Sequence, residues 1–117
     1  MPLVDFDGLI ERLQKIPFDE LRKRQSGYFE FVLSQKHLEH LYPILEDYFG
    51  PPFKPAGVSP SREAEDHARS YGGIRARQTL YFFKHEGLGN CAMIWPWNND
   101  THVTVKVAQG VIQEGKR

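Results

Sequence analysis

The sequence predicts a single α+β domain over residues 1–117. We read an N-terminal helix, a strand, a kinked helix and then a C-terminal three-stranded antiparallel meander, giving a mainly antiparallel sheet with helices packed on it. Three observations carry that reading. Phe6, Leu9, Ile10, Leu13 and Ile16 recur at helical spacing. Residues 75–108 break into three apolar runs separated by GLG and NND turns, the pattern of consecutive strands. Helices and strands come in blocks and do not alternate as βαβ units.

Residues 1–26 are expected to form a helical segment. Asp5 or Asp7 can cap the first helix, and Pro17 stops it. A short second helix is predicted from Pro17 to Arg24. Proline suits a first helical position, Asp19 and Glu20 suit the positive end, and Lys23 and Arg24 suit the negative end. Ser26-Gly27 breaks the pattern. Tyr28 to Leu33 alternates and predicts a strand.

Ser34 is placed to cap the next helix, whose apolar stripe is Leu38, Leu41, Tyr42, Leu45 and Phe49. Pro43 inside it removes the bond to Glu39, which predicts a kink or two abutting helices. Gly50 and Pro51-Pro52 end it. Residues 51–73 read as a loop or a polar surface helix. Ser59-Pro60 can start that helix and Gly72-Gly73 can end it, but only Ala64, Ala68 and Tyr71 offer it an apolar side. The tail, residues 109–117, is expected to fray, Val111 and Ile112 apart.

Register decides which meander residues share a face. A four-residue GLGN hairpin would set Phe83 opposite Ile94. A two-residue turn within NND then completes the sorting. One face collects Tyr81, Phe83, Ala92, Ile94, Pro96, Val103, Val105 and Val107, an ordinary core. The other collects Leu80, Phe82, Cys91, Met93, Trp95 and Trp97, mixed with Lys84, His102, Thr104 and Lys106. Each large apolar side chain there is worth roughly 1.5–3 kcal/mol when fully buried. That face needs a cover, and the first helix is the nearest candidate.

Whole-chain properties narrow the function. Fifteen basic residues balance fifteen acidic ones, which argues against nucleic acid, since phosphate binding favours a basic excess. The single cysteine excludes an intrachain disulfide framework and fits a reducing compartment. The early residues MPLVDFDG are not those of a signal peptide, and no apolar run approaches the roughly 18 residues of a membrane span. The expected location is the cytoplasm.

No motif names a reaction. His37 and His40 could share a metal, but HLEH lacks the HExxH spacing and no second ligand cluster joins it; a solvated helix face is the more ordinary reading. Cys91, with His85 or His102 as base and Lys106 nearby to lower its pKa, could be a nucleophile. A mid-strand cysteine is more commonly a small buried hydrophobe. Arg75, Arg77, Lys84 and Lys106 could form a cationic stripe, against the alternative that the arginines pair with Glu63, Glu65 and Asp66. The glycines of GLGN and Gly72-Gly73 suit turns, not a phosphate cradle.

The sequence therefore points to a small soluble interaction or regulatory module. It would self-associate as a homodimer through the aromatic sheet face, or meet a partner protein there. The alternative is a small-molecule-binding domain or simple enzyme using a pocket lined by the same residues. The binding residues of either reading are Phe82, Met93, Trp95, Trp97, His102, Lys84 and Lys106. No catalytic residue, metal or cofactor is implied.

Overall fold

The computed structural model describes residues 6–111. Helix α1 (Phe6–Gln14) leads to strands β1 (Glu20–Gln25) and β2 (Tyr28–Ser34). A 3-10 turn (Gln35–His37) enters α2 (Leu38–Phe49), and α3 (Arg62–Ala68) continues into a second 3-10 turn (Arg69–Tyr71). Strands β3 (Thr79–His85), β4 (Leu88–Pro96) and β5 (His102–Val111) close the fold. The five strands form one antiparallel sheet in the order β1-β2-β5-β4-β3. The α+β class and the terminal meander are as the sequence predicts.

The main core lies between one sheet face and the first two helices. Phe29, Phe31 and Leu33 alternate along β2 and point the same way as Tyr81, Ala92, Ile94, Val103, Val105 and Val107. They meet Phe6, Leu9, Ile10 and Leu13 of α1, and Leu41, Leu45, Tyr48 and Phe49 of α2. Asp7 lies in the first turn of α1, where its charge complements the helix dipole; Asp5 is outside the described residues.

The helix predicted from Pro17 to Arg24 is corrected: residues 17–19 are irregular and the strand β1 occupies Glu20–Gln25. Its one large apolar side chain, Leu21, is exposed, so no amphipathic stripe exists to dock a helix. The backbone instead finds its hydrogen bonds in β2 across a tight Ser26-Gly27 turn, with Gln25 opposite Tyr28. Gly27 is required there. Its φ is +77°, and a Cβ would sit 2.8 Å from the Gln109 carbonyl oxygen.

Pro43 does not interrupt α2, which runs on as one helix. Leu41 on one side of it and Leu45, Tyr48 and Phe49 on the other are all buried, and this packing holds the helix across the lost bond. Tyr48 replaces Tyr42 in the stripe, and Tyr42 is exposed. The abutment falls earlier, where the 3-10 turn meets α2, and Ser34 makes no side-chain cap bond there.

The β3–β4 hairpin turns on two residues, not four. Glu86 and Gly87 both take positive φ, 51° and 81°, the geometry of a tight hairpin turn. Ile94 consequently faces Thr79, and Phe83 faces Asn90. The slide preserves parity, so the two faces keep the expected membership. At the second turn Trp97 N–H donates to the His102 carbonyl and Asp100 takes φ 60°. Residues 109–111 belong to β5, and residues 112–117 lie outside the described residues.

Candidate functional site

The second sheet face is built in cross-strand rows. One row runs Tyr28, Ala108, Cys91, Phe82; the next runs Glu30, Lys106, Met93, Leu80. A third holds Val32, Thr104 and Trp95, and His102 follows opposite Ser34. Of the predicted binding residues, Phe82, Met93, Trp95 and Lys106 are thereby brought together. Trp97 and His102 make a second group at the far end of β4 and β5, with ring centroids 4.8 Å apart. Lys84 joins neither. It is exposed, opposite Gly89 near the hairpin turn.

The cover over this face is α3 and its 3-10 extension, not α1. Ala64, Ala68 and Ile74 pack on Leu80, Cys91, Met93 and Ala108. The His67 ring stacks on Phe82 at 3.6 Å between centroids and 10° between planes, and Tyr71 stacks on Tyr28. Topology explains the correction: both α1 and α2 are already committed to the opposite face. The polar composition of residues 60–71 fits this role because two alanines are all α3 buries. Ser61 caps that helix, its Oγ accepting from Ala64 N–H at 3.1 Å.

The seam beneath α3 is tight but polar in places. Lys106 Nζ donates to the Tyr71 carbonyl at 2.9 Å and lies 3.5 Å from the centre of the Trp95 ring. Burial pushes its pKa below the usual lysine value, partly opposed by Glu30. Glu30 in turn accepts from Tyr28 OH at 2.6 Å; burial foremost, then this bond and the Glu30 charge, raises the tyrosine's pKa. Trp95 Nε1 and His67 Nε2 are buried without a hydrogen-bond partner among the described residues, the Glu63 carboxylate lying 3.7 Å from His67.

Cys91 is not an activated nucleophile. Burial pushes its thiol up to about 12, and the backbone hydrogen bond at Ala108 offsets only part of that. Lys106 lies opposite Met93 and is engaged with Trp95 and Tyr71. The cationic stripe also dissolves. Arg77 pairs with Asp100 at 2.9 Å, and the half-buried Lys106 is engaged with the Tyr71 carbonyl. The expected pairing of the stripe's arginines with Glu63, Glu65 or Asp66 is not among the described ion pairs, where Asp66 pairs with Arg69.

At the open end, His102 Nε2 lies 2.8 Å from Asp19 Oδ2, and its Nδ1 lies 2.7 Å from Thr101 Oγ1. Trp97 Nε1 donates to Thr104 Oγ1 at 3.0 Å. Beside them is an open depression of about 440 Å³ lined by Pro96, Trp97, Asn98 and Asn99. A second depression, about 420 Å³, lies between α1 and the β1–β2 hairpin and includes none of the predicted binding residues. The His37 and His40 rings are 5.8 Å apart, and no group of three or more metal-ligating side chains occurs among the described residues.

Two residues escaped the sequence reading. Asp19 was hidden by the helical assignment of its segment. Lys54, 3% exposed, donates from its ammonium to the carbonyls of Pro55 and Ala76, each at 2.8 Å, and to that of Gln78. Its backbone exchanges two hydrogen bonds of 3.0 Å with Leu80. Burial lowers its pKa. Nothing in PPFKPAG marks a lysine that will be enclosed. No helix among the described residues is long and apolar enough to cross a membrane. Comparison with protein-family models, with curated proteins and with solved structures finds no match to this chain.

Proposed function

We propose that this protein is a small interaction module that self-associates through the aromatic face of its sheet, with Trp97 and His102 at the centre of the contact. One observation carries this reading. Both rings are only partly buried, yet their polar atoms already have partners within the chain: His102 with Asp19 and Thr101, Trp97 with Thr104. What they offer to the outside is ring surface. A tryptophan in that position is a characteristic interface anchor. The depression at residues 96–99 adjoins the same ring, so a two-fold contact could seat each copy's Trp97 against the other's turn.

The ligand-pocket reading finds less support. Of its lining residues, Met93 is packed against Ala64, Ala68 and Ile74, and Phe82 lies under the His67 ring. Sedimentation velocity over a protein concentration series tests the proposal. A dimer is expected whose dissociation constant rises at least about tenfold in Trp97→Ala, the scale of a hot-spot truncation, and is unchanged in Lys84→Ala. A wild-type protein that stays monomeric throughout the series sinks it.

A further inference from the structure

We infer that residues 58–75 are a hinged flap that opens over the aromatic sheet face while the rest of the fold stays intact. The inference deepens the self-association reading and rests on it for its biological use: the flap sets how much of the face is offered to a second copy.

The segment is a loop closed at its neck. The Lys54–Leu80 bridge and the Gly57-to-Ala76 hydrogen bond of 2.7 Å join its two ends. The Lys54 ammonium ties Pro55 on the outgoing side to Ala76 and Gln78 on the returning side. The neck is therefore fastened independently of what the loop covers. Gly57, at the neck itself, has φ +86°, and Gly72-Gly73 inside it have φ +105° and +87°, all able to absorb a change of direction.

What fastens the flap to the sheet is slight. Helix α3 has seven residues, too few to stand alone, and the side chains it buries are two methyl groups. The seam also encloses Trp95 Nε1 and His67 Nε2, neither with a hydrogen-bond partner among the described residues, the latter with the Glu63 carboxylate at 3.7 Å. Each carries a desolvation penalty that water would relieve on opening, so these two atoms favour the open form. Against that stand the His67–Phe82 and Tyr71–Tyr28 stacks, Ile74 and the Lys106–Tyr71 bond. Regions held by few buried apolar contacts open well below the free energy of global unfolding. Opening here uncovers Leu80, Cys91, Met93 and Trp95.

Cys91 is the sole cysteine, so its reaction with the disulfide reagent DTNB reports the opening without ambiguity. The 117-residue chain is labelled at low concentration across a urea series, and global unfolding is followed by far-UV circular dichroism. The expected result is labelling through an opening whose urea dependence is less than half that of global unfolding. Glu65→Gly, on the exposed side of α3, is expected to speed labelling about threefold through lost helix propensity while the low urea slope of labelling is retained. Labelling that shares the urea slope of global unfolding, in the wild type and the variant alike, overturns the inference. Low-slope labelling in a protein that sediments as a monomer at every concentration upholds the flap and removes self-association. Labelling slowed by rising protein concentration ties the two.

Discussion

The ammonium of Lys106 lies over the indole of Trp95, 3.5 Å from its centre, and donates to the carbonyl of Tyr71 beyond it. One side chain of β5 thus holds together an aromatic residue of β4 and the C-terminal turn of α3. The arrangement explains how a lysine is accommodated in a largely apolar seam: the ring face and the carbonyl replace part of its hydration.

Lys106→Met keeps the aliphatic stem but loses both interactions. We expect a loss of about 1–2 kcal/mol in urea unfolding, together with a change in Trp95 fluorescence. A neutral stability change would mean that ring and carbonyl do no more than offset the cost of burying the charge.

Lys54 is the firmer anchor. Replacing it with Met removes the one donor shared by the carbonyls of Pro55, Ala76 and Gln78 and leaves Ala76 only the Gly57 N–H. We expect about 2 kcal/mol of destabilisation and proteolytic nicking between residues 55 and 78 in an otherwise folded protein. Resistance to limited proteolysis equal to the wild type would show that the backbone bridge to Leu80 suffices.

Gly72→Ala tests the fit of the flap against Trp95. A Cβ at this position would lie 2.6 Å from Trp95 Cη2, and the backbone φ of +105° is strained for any L side chain. A loss of about 1–3 kcal/mol is expected, read from the urea midpoint, along with faster DTNB labelling of Cys91. Gly57→Ala meets no such neighbour and is expected to cost less, through its backbone strain alone.

Alkaline pH should weaken the fold. The thiol of Cys91 is pushed up to about 12, and burial likewise raises Tyr81 to about 12, with Glu46 adding to it. From about pH 8.5 for the thiol and about pH 10 for the phenol, the unfolded chain sheds protons that the native chain keeps. Stability then falls as pH rises, until the native groups ionise in turn. Lys54 and Lys106, whose values are lowered, work with the opposite sign over the window below the ordinary lysine value. Urea titrations of the wild type and Cys91→Ala at pH 8 to 10 separate them. The wild type should lose more stability across that range, and parallel curves would refute the assignment to the thiol.

What could be read in advance follows from which patterns tolerate error. The Phe6, Leu9, Ile10, Leu13 stripe stands because a helical face is a local property. The two faces of the meander stand because the actual turn, at Glu86-Gly87, slid the register by an even number of residues. The turn itself was obscured because Glu86 accepts a positive φ, which its residue type does not advertise. Residues ELRKRQ of β1 carry no alternation, since an edge strand with every side chain exposed has no face to encode. The cover over Met93 and Cys91 was misassigned to α1 because a helix that buries only Ala64 and Ala68 has almost no hydrophobic signature. The contacts of Asp19 with His102, and of Lys54 with Ala76 and Gln78, arise from tertiary approach and have no local signal at all.

The exposure of all six β1 residues bears on the shape that assemblies of this chain can take. Arg22, Lys23 and Arg24, with a bulge between Leu21 and Lys23, make that border of the sheet a poor template for another strand. The opposite border, β3, is interrupted where Lys54 occupies Leu80. With lateral addition impeded on both sides, the sheet edges do not favour strand-by-strand growth, and the face-on, two-fold contact proposed above would close at a discrete particle instead of propagating into fibres.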